Sequence, residues 1–278
     1  MNIFNLFKRA PSISPEEVRE YIEHKAPEEY CLLDVRQKSE YERGHLPGAR
    51  LVPLGELQRR IPELDPGRTY IVYCRTGSRS VSGAGLLLGA GFKNILNMSG
   101  GIVRYNGSVA SGPPEAGMFC FPENLSPGQL AAVAWFLEDG TLSFLGEVHA
   151  GIAPGIGQIV VGELVADKKR HKEKLRGLYA DITGSSPAPD FPKGVLDMPA
   201  EGVMVGCVKV SEAVRWANGK SATDILELLM SLGANAYDLY LKLVRALKSG
   251  EARKVFAVLA REEHNNIVRT AKAFESAL

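Results

Sequence analysis

In the first part of the chain the apolar positions fall in short, nearly continuous runs: Cys31-Leu32-Leu33-Asp34-Val35, Leu51-Val52-Pro53, Tyr70-Ile71-Val72-Tyr73 and Asn94 to Met98. Runs that do not alternate with polar residues predict strands covered on both faces, as in a parallel sheet. Helical patterns lie between them. Ser14-Pro15-Glu16-Glu17 supplies an N-cap with proline at the first position and opens a helix to about His24. A short helix from Ser39 can stop at Gly44. Leu54 to Ile61 and Val81 to Ala90 complete the set. Strands alternating with helices predict an α/β sheet flanked by helices, with chemistry at the carboxyl ends of the strands.

Residues 107–127 lack any period and are rich in turn formers, including Gly112-Pro113-Pro114, Gly117, Pro122 and Ser126-Pro127-Gly128. They predict a linker, with a first domain over 1–108, the linker over 109–126 and a second domain over 127–278. Beyond it the period changes to that of helices. One stripe runs Leu130, Val133, Ala134, Leu137, Thr141, Leu145. A second helix, about Pro154 to Asp181, turns Ile156, Val160, Leu164, Leu175 and Leu178 inward. After a Pro/Gly-rich crossover over 182–220, with one amphipathic piece near Ser211 to Ala217, a third stripe runs from Ile225 to Leu247 and a fourth from Val255 to Phe274. Four long helices with one long connection predict an all-α four-helix bundle.

Polar residues interrupt these inward stripes. Glu138 and Glu263 fall on their own apolar faces, and Leu164, Lys168, His171 and Leu175 share one face of the second helix. A lone charge at that depth costs several kcal/mol, so Lys168 is expected to reach Glu138 or Glu263. On the crossover, Val203, Val205, Val208 and Trp216 are expected to be exposed and in need of cover, which predicts a homodimer through the second domain.

Composition narrows the function classes. Lysine and arginine total 33 against 32 acidic residues, a formal charge of +1, so neither nucleic acid nor a membrane surface is expected as a partner. Cys31, Cys74, Cys120 and Cys207 lie far apart with no paired spacing for a zinc or dithiol centre, which favours a cytoplasmic location. Ile3, Phe4, Leu6 and Phe7 followed by Lys8-Arg9 are too short and wrongly ordered for a signal peptide, and no stretch has the length of a membrane span. Cys31, on a buried run, and Cys207, His149, Asp167 and His264 are expected to be ordinary packing or surface residues.

Cys74-Arg75-Thr76-Gly77-Ser78-Arg79-Ser80 carries the chemistry. It joins the strand ending at Tyr73 to the following helix, so the sulfur faces backbone N–H groups and the positive end of that helix. Such surroundings lower a thiol's pKa. Gly77 lets the turn close, and two arginines add positive charge for an anion held over the cysteine. Asp34, Arg36, Glu40 and His45 are expected to serve as salt bridges and loop caps.

Leu33-Asp34-Val35-Arg36, Glu40-Tyr41, Gly44-His45-Leu46-Pro47-Gly48-Ala49, Tyr73 to Ser80 and Gly100-Gly101 resemble the single-domain rhodanese family of sulfurtransferases over about residues 12–108. The resemblance implies that Cys74 takes a sulfane sulfur from a donor such as thiosulfate, holds it as a persulfide, and passes it to a thiol or cyanide-like acceptor. It makes Arg75, Thr76, Gly77, Ser78 and Arg79 the substrate-binding cradle. The family's tryptophan after the double glycine is Tyr105 here. Cysteine phosphatases use a longer C-x5-R loop sized for phosphate, whereas Arg79 gives C-x4-R.

The helical half resembles the rubrerythrin branch of the ferritin-like family. Glu138, His171 and Glu263 match three ligand positions, while Lys168, Gly233 and Asn266 stand where the family has a glutamate, a carboxylate and a histidine. That departure implies a metal-free domain with no cofactor, iron included, in preference to a single weak metal site at the three remaining positions. The readings left open are a module that docks a partner and delivers sulfur to it, and a di-iron peroxide-reducing protein with a degraded metal site.

Overall fold

The computed structural model describes residues 9–115, 124–197 and 199–278. The N-terminal residues through Lys8, the linker residues Gly117 and Pro122, and Cys120 lie outside the described residues. The chain divides into two compact units, Met1–Pro114 and Glu115–Leu278.

The first unit is a five-stranded, all-parallel sheet. Its strands are β1 (Ser12–Ile13), β2 (Tyr30–Asp34), β3 (Arg50–Leu51), β4 (Thr69–Tyr73) and β5 (Ile95–Met98), in the order β1-β5-β4-β2-β3. The intervening helices are α1 (Pro15–His24), α2 (Lys38–Arg43), α3 (Leu54–Arg60) and α4 (Ser78–Gly89). β4 is the central strand because Tyr70, Ile71, Val72 and Tyr73 can all be buried, and each is. Leu33, Val35, Val72, Ala84 and Leu87 fill one face of the sheet, and Leu32, Tyr41, Leu46, Ile71 and Met98 fill the other. Cys31 is a core residue of the first face. Tyr105 packs against the second. At α1, Ser14 accepts from Glu17 N while the Glu17 carboxylate accepts from Ser14 N, the reciprocal cap its sequence offers. The two-residue β1 is too short to leave a hydrophobic period in the sequence.

The second unit is helical. Its long helices are α5 (Pro127–Gly151), α6 (Ile156–Thr183), α8 (Ala222–Ala246) and α9 (Gly250–Ala277), with the short α7 (Val210–Ala217) and a hairpin of β6 (Val203–Met204) and β7 (Val208–Lys209) between α6 and α8. α5 packs on α6, α8 on α9, and α6 on α9. Ser126 and Ser221 cap α5 and α8 with the same reciprocal hydrogen bonding as Ser14. Among the described residues no helix is long and apolar enough to cross a membrane.

Three expectations are corrected. Val203 and Val205 are 5% and 3% exposed, because β6 crosses α5 at Gly140, where a Cβ would lie 2.2 Å from the Val203 carbonyl oxygen. Of the proposed exposed set, only Val208 and Trp216 remain so. Ile156 is 43% exposed, being the first residue of α6. Asp167 is a packing residue, buried and ion-paired to Arg269 at 2.6 Å. Cys207 is disulfide-bonded, which removes the cysteine argument for a reducing compartment.

Candidate active site

The chain leaves β4 at Tyr73 and enters α4 at Ser78, so only Cys74 to Gly77 form the turn, and Ser78-Arg79-Ser80 is the first turn of a helix. The sequence places this helix three residues later, at Val81, because serine and arginine are not period-setting residues. The earlier start matters chemically. The first N–H groups of a helix have no partner within it. Here they surround sulfur: Gly77 N donates to Cys74 Sγ at 3.1 Å, and the Ser80 hydroxyl, 2.9 Å from the Gly77 carbonyl oxygen, can turn its one proton to that oxygen or to the sulfur. Gly77 stands at φ +104°, where a Cβ would meet Gly100 N at 3.1 Å. Burial alone would raise the Cys74 thiol pKa, but the N–H and hydroxyl of Ser80 and the N–H groups of Gly77 and Thr76 outweigh it and bring the pKa below its ordinary value.

Behind the turn, Ile102 N donates to the Cys74 carbonyl at 2.9 Å and Val103 N to that of Arg75 at 3.2 Å. Gly101 makes this approach possible: at φ +64° its position leaves no room for a side chain, and a Cβ would lie 2.4 Å from the Arg75 carbonyl oxygen. Gly101→Ala is therefore expected to lower stability by about 2 kcal/mol, read by urea denaturation.

The side chains around the turn divide into held and exposed. Arg79 is held: its two terminal nitrogens donate to the two Glu40 oxygens at 2.7 Å each, a bidentate pair. That pairing is the main reason the Glu40 carboxyl pKa is lowered to about 2. Arg36 makes a similar fork on buried Asp34 and donates to the Gly44 carbonyl at 2.6 Å, while His45 stacks on Tyr41 with ring centroids 3.6 Å apart. Asp34, Arg36, Glu40 and His45 thus brace the loop's surroundings. Arg75, Thr76 and Ser78 are exposed over a cysteine that is itself 0% exposed.

Alkylation should follow the thiolate. The Cys74 rate is expected to reach half its limit at a lower pH than that of an ordinary cysteine, falling as pH drops through the lowered pKa. Ser80→Ala removes one donor and moves the midpoint upward. Peptide mass spectrometry across pH reads both.

Residues 14–108 match the family described as the rhodanese-like domain. The chain belongs to this family through that stretch. YrkF of Bacillus subtilis, named as a candidate sulfur carrier protein, is 34% identical over 99 residues, which are 36% of this chain and 52% of that protein. A protein of Allochromatium vinosum named sulfurtransferase is 32% identical over 78 residues, 28% of this chain and 73% of its own length. A rhodanese-related protein from Thermoplasma volcanium superposes with a TM-score of 0.31 and 29% identity, covering 34% of this chain and 89% of that one. The chain spans about half the length of YrkF, and the family match stops before the helical unit. At the level of the family, the rhodanese-like unit has a sulfur-transfer role.

In the helical unit the residues singled out from the sequence come together. Lys168 Nζ lies 2.5 Å from Glu263 Oε1 and 3.2 Å from Glu138 Oε2. His171 Nδ1 lies 3.3 Å from Glu263 Oε1 and 3.5 Å from Glu138 Oε1. Burial opposes charge on each group, but Lys168 and His171 together bring Glu138 down to about 2, and the carboxylates raise Lys168 and His171. Two partners escaped the sequence reading: Tyr240, whose hydroxyl donates to Glu138, and Glu262, whose Oε2 lies 2.8 Å from His171 Nε2. Tyr240 reads as one more apolar position on α8, and Glu262 as a surface charge beside Glu263. A pair of iron ions does not fit this donor set, because an ammonium lies between the carboxylates that would bridge them.

Proposed function

We propose that the first unit is a sulfurtransferase that carries sulfane sulfur on Cys74. The observation that carries this reading is the donor-lined turn, in which Gly77 N stands 3.1 Å from Sγ and the helix start adds further donors. The thiolate attacks the outer sulfur of thiosulfate. The new bond is Cys74 S–S, the sulfur–sulfur bond of the donor breaks, and sulfite leaves with the electron pair. A thiolate or cyanide then attacks the terminal sulfur and Cys74 leaves as thiolate again, so neither an external oxidant nor a general base is required. The persulfide's terminal sulfur is anionic, and N–H donors aimed at that point stabilise it without reorganisation.

Arg75, Thr76, Gly77, Ser78 and Arg79 line the turn in this reading, with unequal parts. The charge of Arg79 is already offset by Glu40, so its role is to fix the turn, and exposed Arg75 supplies the charge that draws in an anionic donor. The test is intact-mass analysis after thiosulfate treatment. One added sulfur atom, mapped to the Cys74 peptide and discharged by cyanide as thiocyanate, is the expected result. An unmodified Cys74 after treatment would refute the proposal.

A further inference from the structure

The buried charges of the helical unit belong to a different compact unit from the Cys74 turn. Glu138, His171 and Glu263 each offer a ligand atom, all within 4.8 Å of one another, and all three residues are buried. Two carboxylates and an imidazole so disposed suit a first-row divalent cation. The imidazole lies between acidic groups on both sides: His171 Nε2 is 2.8 Å from Glu262 Oε2, and Nδ1 is 3.3 Å from Glu263 Oε1 and 3.5 Å from Glu138 Oε1. A carboxylate or similar partner on the far nitrogen is how a metal-binding histidine is commonly oriented.

Lys168 stands in the way. Its ammonium contacts one oxygen of Glu263 and both of Glu138. A cation bonded to those oxygens at about 2.0–2.2 Å would need the space and the charge that the ammonium now takes, so the two exclude each other. We propose that Lys168 is a tethered counter-ion occupying the place of a divalent cation between Glu138 and Glu263, and that removing its ammonium uncovers a metal site. A cavity of about 30 Å³, bordered by Thr141, Lys168, Glu263 and Asn266, adjoins the group. It has room for water to complete the cation's coordination once the lysine is gone.

The experiment uses four full-length proteins: wild type, Lys168→Met, Lys168→Ala and the double variant Lys168→Met/Glu138→Gln. Each is stripped with chelator, dialysed against Co²⁺, and read by elemental analysis, visible absorption and thermal melting. Wild type is expected to retain essentially none. Both single variants should hold about one Co²⁺ per chain, show its d–d bands, and melt at a higher temperature with the ion than without it. The double variant should lose all three effects. One tightly held Co²⁺ per wild-type chain would overturn the inference, as would single variants that bind none. Should a stripped single variant be unfolded, Co²⁺ must restore its helical circular dichroism, and failure to do so counts equally against it.

Discussion

Cys74→Ser is expected to abolish sulfur transfer from thiosulfate, with a loss of at least about a thousandfold, while leaving the melting temperature near that of wild type. The reason is chemical. A hydroxyl at this position keeps its proton at neutral pH and forms no stable bond to a sulfane sulfur, so no carrier forms however well the turn is built. The fold should tolerate the change because serine is close in size, and its oxygen can accept the Gly77 N–H that now points at sulfur. Steady-state thiocyanate formation reads the activity, and calorimetry reads the fold. Transfer at the wild-type rate would mean that Cys74 is not the carrier.

The second large effect is on stability. Lys168→Met in metal-free buffer is expected to destabilise the helical unit by about 3 kcal/mol, because it leaves Glu138 and Glu263 facing each other at 0% and 1% exposure with only His171 to offset them. Most of that cost is an uncompensated buried charge, so neutralising a carboxylate as well should return part of it. Urea denaturation of wild type, Lys168→Met and Lys168→Met/Glu263→Gln in chelator measures both steps. A single variant as stable as wild type would show that the carboxylates shed their charge or turn to water, and that the ammonium contributes little.

Legibility differed between the two units for physical reasons. In the first, short unbroken apolar runs bounded by turn residues match strands covered on both faces, and β2, β4 and β5 follow within a residue of the sequence boundaries. The start of α4 was harder, since a helix's first turn is defined by its cap and dihedral angles, and Gly77 in the left-handed region leaves no periodic mark. In the second unit the stripes that place Glu138, Lys168, His171 and Glu263 inward are visible as spacing. Val203 and Val205 misled because a crossover has no period, and its burial depends on a glycine in another element, Gly140.

Local spacing tells which residues could meet: a cysteine after the central strand with glycine behind it, and a lysine, a histidine and two glutamates on inward helical faces. These follow from local periodicity and turn chemistry, which short stretches of chain specify alone. What each group does when it arrives depends on contacts between elements. Glu40 on α2 takes the charge of Arg79, and Gly101 lets Ile102 and Val103 grip the loop from behind. Lys168 reaches both carboxylates, while Tyr240 and Glu262 complete the set from α8 and α9. Each of these contacts joins residues from different elements, and their distance and burial are set by how those elements pack, which a one-dimensional pattern does not contain.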